Sequence, residues 1–539
     1  MRSLLIIVFL FFIGKFGLSQ QLPVVTGWKD CRHYIERVRE GKKNVFYTVD
    51  VKTGERVVYK PATKKLRATV NVENGNLVYV SEAGTRKTLT RTPADVKNPV
   101  LSPDGKWVAF TRANDLYAIE LASGREIRYT NDGSDVIKNG YASWVYYEEI
   151  LGRGSKYRSF WWSPDSRYIA FFRYDDSRVP EYPLYDVKGQ HGRQEINRYP
   201  RAGDPNPEVK VGIVPVTGGS IVWSTFNSKD DQYFGMPFWR PDGSSLLVQW
   251  MPREQNNLKL YEIDLMTGEK SEIYNEEQAT WVSWIESLYW VEDGFLMIRD
   301  FDGWEQIYLH NSDGTLKRKL TSGRNWGTEI VRVDEEKRQV YFISKGEIST
   351  RYDFYCVGLD GKKVRRLSFG EYSHKDILLS PDNRYFITRY DNYFTPTRLG
   401  LVNVKTGKVK VLGDAKDPNY DSTKVARKDI LWMKTEEGFE IPAIVYWPAG
   451  MQEGERYPVD IHVYGGPNHG SVSDYWSARN SQQETKRIRV VLDHRGSGHC
   501  GKVGMNYMHR QLGKWEMHDY IAWVKLLRTY PNVDSTRVM

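Results

Sequence analysis

Ser102-Pro103-Asp104-Gly105-Lys106-Trp107, running into Val108-Ala109-Phe110, is a tight turn followed by an apolar, aromatic strand. Pro pre-sets φ for the turn, and Asp with Gly closes it. The signature returns at Ser163-Pro164-Asp165-Ser166-Arg167-Tyr168, Arg240-Pro241-Asp242-Gly243-Ser244 and Ser380-Pro381-Asp382-Asn383-Arg384-Tyr385. Strands such as Ile169-Ala170-Phe171-Phe172 and Phe386-Ile387 follow it. A second set of turns lies at Leu121-Ala122-Ser123-Gly124, Met266-Thr267-Gly268, Ser312-Asp313-Gly314, Leu359-Asp360-Gly361 and Lys405-Thr406-Gly407. Recurring hairpins of this kind predict an all-β propeller in preference to a sandwich. The first signature is spaced unevenly, by roughly 60 to 140 residues, so some blades carry insertions or lack the mark.

Composition agrees with a strand-rich protein. The 539 residues include 35 Tyr, 18 Trp and 20 Phe, side chains that suit half-buried strands. Apolar residues make up 40% and charged residues 27%, which excludes disorder and a membrane bundle. A chain of this length divides into at least two large domains. The formal charge of +9 is dispersed among acids with no dense basic tract, so a nucleic-acid partner is not expected. Cys31, Cys356 and Cys500 are the only cysteines, too few for a disulfide scaffold, and no bridge is assigned.

Arg2, the apolar run from Leu4 to Ile13, and Gly17-Leu18-Ser19 read as a cleaved export leader over residues 1–19. The run is shorter than the roughly 20 apolar residues a membrane span needs. A periplasmic or extracellular location with no stable membrane span is therefore expected.

From about residue 426 the pattern changes. Asp429-Ile430-Leu431-Trp432 and Ile441-Pro442-Ala443-Ile444-Val445-Tyr446-Trp447 still read as strands. Then Val459 to Tyr464 is a strand entering Gly465-Gly466-Pro467, and Ile488 to Asp493 another entering Arg495-Gly496-Ser497-Gly498. Trp515 to Arg528 is a helix with Met517, Ile521, Val524 and Leu527 on one stripe, stopped by Pro531. Arg537-Val538-Met539 looks like the start of a third strand. Alternating strands and helices imply a parallel sheet with crossover helices, here incomplete.

These segments resemble the dipeptidyl peptidase IV family of the prolyl oligopeptidase superfamily. Tyr457-Pro458 with Val463-Tyr464-Gly465-Gly466-Pro467 is similar to its oxyanion strand-turn. Asp493-His494-Arg495-Gly496-Ser497-Gly498, and Arg510-Gln511-Leu512-Gly513 with Asp519, resemble the blocks that follow. Trp144-Val145-Tyr146-Tyr147-Glu148-Glu149 is similar to the double-glutamate segment. Phe160-Trp161-Trp162-Ser163-Pro164, Val179-Pro180-Glu181-Tyr182 and Tyr199-Pro200-Arg201-Ala202-Gly203 fit the family in order and spacing. The resemblance implies an eight-bladed propeller over residues 43–425 and the first part of an α/β-hydrolase domain over 426–539. It also implies that a segment at 20–42 packs on the hydrolase. The activity it implies is a serine exopeptidase releasing N-terminal dipeptides, Xaa-Pro or Xaa-Ala.

Acyl transfer needs a nucleophile, a base, an orienting acid and donors for the oxyanion. No Gly-x-Ser-x-Gly elbow occurs. Ser497 is a decoy, because Arg495 stands where the first glycine should be, and Ser497 reads as a turn residue. The nucleophile, Asp and His are expected beyond residue 539, which would leave this chain inactive alone. Tyr464 is the expected oxyanion donor, its bland alternative being a Tyr packed at a strand end. Adjacent glutamates are usually a solvated pair. Glu148 and Glu149 can instead capture the ammonium of a peptide with a free N-terminus, and so measure substrate length. The resemblance adds an arginine on the substrate carbonyl, for which Arg86, Arg91 and Arg112 are candidates. His494, His499, His509 and His518 cluster with Cys500, but without metal-ligand spacing, so no metal or cofactor is expected. A secreted propeller scaffold with a degenerate hydrolase, or a tripeptidyl or acylaminoacyl peptidase, are the alternatives. An acylated substrate has no ammonium for the glutamates. A homodimer is left open.

Overall fold

Ser102, Ser163 and Ser380 each donate Oγ–H to the Asp two residues on, at 2.6, 2.6 and 2.8 Å. The same oxygens accept the N–H of Trp107, Tyr168 and Tyr385 at 2.9, 2.9 and 3.0 Å. One hydroxyl thus closes each turn from inside. Gly105, Ser166, Gly243 and Asn383 take the matching position with φ of 71°, 63°, 73° and 61°, the left-handed region that favours Gly and Asn. Ser166 is held there by accepting the N–H of Asp104 in the neighbouring turn at 3.0 Å.

These contacts come from a computed structural model, which describes residues 22–60, 67–92, 95–418, 420, 426–477 and 486–539. The expected leader at 1–19 and the expected boundary at 425 lie outside the described residues. Each turn joins two paired antiparallel strands, for example Val96–Leu101 with Trp107–Arg112 and Ser373–Leu379 with Tyr385–Asp391. The second set of turns joins the last two strands of a sheet, as Gly268 does between Asn257–Ile263 and Lys270–Glu277.

The chain is strand-rich. Among the described residues eight antiparallel sheets follow one another, at 24–59, 69–88, 96–128, 137–223, 232–277, 289–319, 326–366 and 373–414. An extra hairpin, Glu181–Asp186 with Arg193–Arg198, stands within the span of the fourth.

Two compact units result: 61–301 with 306–320, and 1–60 with 302–305 and 321–539. In the first, the core is laid between successive sheets. Trp107, Leu116 and Ala118 meet Phe160, Ile169 and Phe171. Phe172, Tyr174 and Val211 meet Phe234, Leu246 and Val248. Inner strands such as Trp107–Arg112 are buried almost throughout, so they read as continuous apolar runs. A fully buried large apolar side chain such as Phe110 contributes about 1.5–3 kcal/mol by its burial.

In the other unit, the described residues of the 20–42 segment are largely sheet. Val24–Trp28 and His33–Glu40 pair with each other and then with Lys43–Asp50. Their apolar side chains, Trp28 and Tyr34 among them, pack against Ile387, Leu399 and Leu401. The alternation of buried Tyr34 and Glu36 with more exposed neighbours is that of a half-buried strand.

The last sheet is mixed, not wholly parallel. Its order is Arg427–Lys434, Glu440–Trp447, Ile488–Leu492, Tyr457–His462, Val533–Val538. The first two steps are antiparallel and the last two parallel. A five-residue link at 435–439 can only form a hairpin, whereas parallel pairing needs a long crossover. The strand expected from Arg537 starts earlier, at Val533, which is buried. The helices are α1 (Gly501–Asn506) and α2 (Trp515–Leu527). Helix α2 forms where expected, but its face differs. Met517 and Ile521 are 52% and 50% exposed, whereas Glu516, Asp519, Tyr520, Trp523 and Leu527 are buried. The cause is Arg495, fully buried, which pairs with Asp519 at 2.7 Å and donates its backbone N–H to the same carboxylate at 2.8 Å. That pair and the two large rings turn α2 away from the aliphatic stripe.

Candidate functional site

Glu148 and Glu149 sit on a single π-helical turn, Tyr146–Ile150, in which the N–H of Leu151 reaches the carbonyl of Tyr146 at 2.7 Å. Tyr146 anchors the turn. Its ring is fully buried, edge-on to Tyr174 at 4.9 Å, and its oxygen accepts the N–H of Phe234 at 3.0 Å. With Tyr146 inward, Glu149 is exposed and Glu148 half-buried.

Arg153 grips Glu148. Its Nε donates to the two carboxylate oxygens at 2.9 and 2.7 Å, and its Nη2 also reaches Oε1. These bonds hold the Glu148 carboxyl below the usual carboxylate range. Nothing in the sequence marked Arg153. It lies five residues on, past the glycine at 152, at no helical spacing that would pair it with Glu148.

A sheath of aromatic rings surrounds the turn. Tyr147 stacks on Tyr157 at 3.7 Å and Tyr157 on Tyr141 at 5.0 Å. Trp144 meets Tyr147 at 6.1 Å and Tyr199 at 6.3 Å. Tyr199 meets Tyr182 at 5.5 Å, with the Arg201 guanidinium 4.8 Å over that ring. Segments 144–149, 179–182 and 199–203, singled out separately in the sequence, therefore converge.

Of the arginine candidates, Arg86 is paired with Glu73 at 2.6 Å and Arg112 with Glu126. Arg91 is exposed and makes no ion pair among the described residues. The sequence missed Arg158, which bridges to Tyr141 in the backbone. Its Nε is buried without a hydrogen-bond partner among the described residues, and burial pushes its guanidinium down.

Tyr464 belongs to the other unit. It follows the strand Tyr457–His462 and is 65% exposed, its ring 4.4 Å from that of His469. A Cβ on Gly466 would lie 2.5 Å from Tyr464 Cε1, so a larger residue there would displace the exposed ring. The loop beyond is pinned by buried Asp493, which accepts the N–H groups of Ser471 and Val472 at 2.9 and 2.8 Å. Asp493 also bonds His499 Nε2 at 2.8 Å, whose Nδ1 meets Ser349 Oγ at 2.8 Å. His499 is thus a buried packing residue, and so is His494. Ser497 is a buried turn residue, its Oγ–H donated to the His494 carbonyl at 2.6 Å. Cys31, Cys356 and Cys500 are unbridged. Among the described residues no cluster of His, Cys, Asp or Glu is placed to hold a metal.

An exposed carboxylate beside an arginine-bound one, sheathed by rings, can take a cation. An exposed phenol after a Gly-Gly turn can donate a hydrogen bond.

The family model described as Dipeptidyl peptidase IV (DPP IV) N-terminal region matches residues 33–397. The chain is 27% identical over 480 residues to a protein named probable dipeptidyl-aminopeptidase B of Aspergillus fumigatus, covering 81% of this chain and 51% of that one. It is 26% identical over 483 residues to dipeptidyl peptidase 4 of Arthroderma otae, covering 85% and 60%. The chain thus spans about half the length of the curated relatives it matches. The crystal structure of Porphyromonas gingivalis dipeptidyl peptidase 4 has a similar fold, with a TM-score of 0.77 at 24% identity over 96% of this chain and 78% of that one.

Proposed function

The chain belongs to the dipeptidyl peptidase IV family, and from that premise we propose that it serves an exported serine exopeptidase releasing Xaa-Pro or Xaa-Ala dipeptides from free peptide N-termini. In this reading the eight successive sheets are the blades of a propeller, and the mixed sheet from Arg427 is part of an α/β-hydrolase domain. Glu149 takes the substrate ammonium, with Glu148 beside it, and Tyr464 donates its phenolic O–H to the oxyanion. Arg91 and Arg158, neither of which makes an ion pair among the described residues, are the candidates for holding a substrate carbonyl.

The observation that carries the reading is the glutamate turn. Two adjacent carboxylates are presented from a turn nailed down by a buried tyrosine, and Arg153 answers only one of them. A site with one uncompensated negative charge suits one ammonium. The test gives the full-length enzyme an Xaa-Pro chromogenic dipeptide and its N-acetylated analogue. Release from the free amine alone supports the proposal, and equal release from both overturns it.

A further inference from the structure

A groove of about 900 Å³ lies within the unit that holds both the 24–59 and the 373–414 sheets, and residues of both line it. Four arginines are among the residues that line it, Arg37, Arg39, Arg56 and Arg389, with one carboxylate, Glu36. Two are already answered: Arg56 bonds Glu36 at 2.9 Å, and Arg389 lies 3.5 Å from Asp376. The other two are not. Arg37 makes no ion pair among the described residues, and Arg39 reaches only the Gly41 carbonyl at 3.4 Å.

Arg37 and Arg39 are two apart on the strand His33–Glu40, so they project from the same face. Like charges side by side on a strand repel each other. On an open surface water screens them, but in a concavity the field of several guanidiniums is focused on whatever enters. Guanidinium forks match the oxygens of phosphate and sulfate esters, bonding them in pairs. The groove is also within the size range of small-molecule sites, about 300–1,000 Å³. We propose that this groove binds a multiply charged phosphate or sulfate ester of sugar size, held chiefly by Arg37 and Arg39. The site is independent of the glutamate turn and of Tyr464.

The test is calorimetric titration of the full chain with inositol hexakisphosphate and, separately, with sucrose octasulfate, at low and high salt. Saturable binding to one site, weakened by salt as charges are screened, is expected. Tighter binding of one probe identifies phosphate or sulfate as the natural group. R37Q/R39Q should weaken binding at least about tenfold, since charge-assisted bonds are lost. Both side chains are exposed, so the variant keeps its fold, checked by circular dichroism. K362Q/K363Q removes the same charge from exposed positions on another sheet's turn and should leave binding unchanged. The proposal fails if neither probe saturates, if R37Q/R39Q binds as well as the parent, or if both double variants lose affinity equally.

Discussion

Arg153 closes on Glu148 with Nε contacts of 2.9 and 2.7 Å, while Glu149, one residue on, is left exposed. The two glutamates are neighbours in the chain and unequal in the fold.

That inequality predicts unequal mutants. Glu149→Gln in the full-length enzyme should cut kcat/KM for a free-amine dipeptide about thirtyfold or more, as loss of one partner of a desolvated charge pair costs about 2–5 kcal/mol. Glu148→Gln should cost less, because its charge is already answered by Arg153. Steady-state kinetics on free and N-acetylated substrates decides it. Equal, small losses in both variants would mean that the peptide N-terminus is held elsewhere.

Tyr464→Phe should lower kcat by roughly 10²–10³, the usual cost of one oxyanion donor, with KM little changed. Gly466→Ala should also slow turnover, since the new Cβ would strike the Tyr464 ring. A Tyr464→Phe enzyme with wild-type kcat would remove the phenol from the mechanism.

The 539 residues contain no Gly-x-Ser-x-Gly elbow. On the function proposed above, in which the nucleophile is supplied by the full-length enzyme, these 539 residues alone should release nothing from an Xaa-Pro chromogenic substrate. Saturable turnover that a serine reagent abolishes would contradict this.

Asp519→Ala should destabilise the chain by up to about 3–5 kcal/mol, because it leaves the fully buried Arg495 with only the 3.2 Å contact to Glu437 as an ion-pair partner among the described residues. Replacing both, as in Arg495→Met with Asp519→Leu, should cost less than the single change. Chemical denaturation of the parent chain and the two variants measures the difference.

Burial pushes the Lys428 amine down to about 8, against roughly 10.4 in an unfolded chain. Below about pH 8 both states hold the proton, and the folded state bears the cost of a desolvated charge. Between about 8 and roughly 10.4 the unfolded chain binds a proton that the folded one lacks, so this group makes stability rise with pH there. Lys428→Met should be the more stable protein at pH 7, with that rise removed. Denaturation midpoints at pH 7 and pH 9.5 test it.

What the sequence determined by itself is local chemistry. A Ser hydroxyl, a Pro φ and an Asp acceptor lie within five residues, so the hairpin turns at Ser102, Ser163 and Ser380 could be read without knowing any partner. Helix α2 was legible for the same reason, its period and its Pro531 stop being properties of one short segment. Tertiary structure decided everything that depends on a distant partner. Which face of α2 is buried was set by Arg495, twenty-four residues away. The strands from Val24 to Glu40 took their place from Ile387 and Leu399, and no motif in either segment announces that meeting. Arg153 became the answer to Glu148 because a π-helical turn and a glycine brought it round. Turn chemistry is fixed by neighbours in the chain, whereas burial and charge pairing are fixed by neighbours in space.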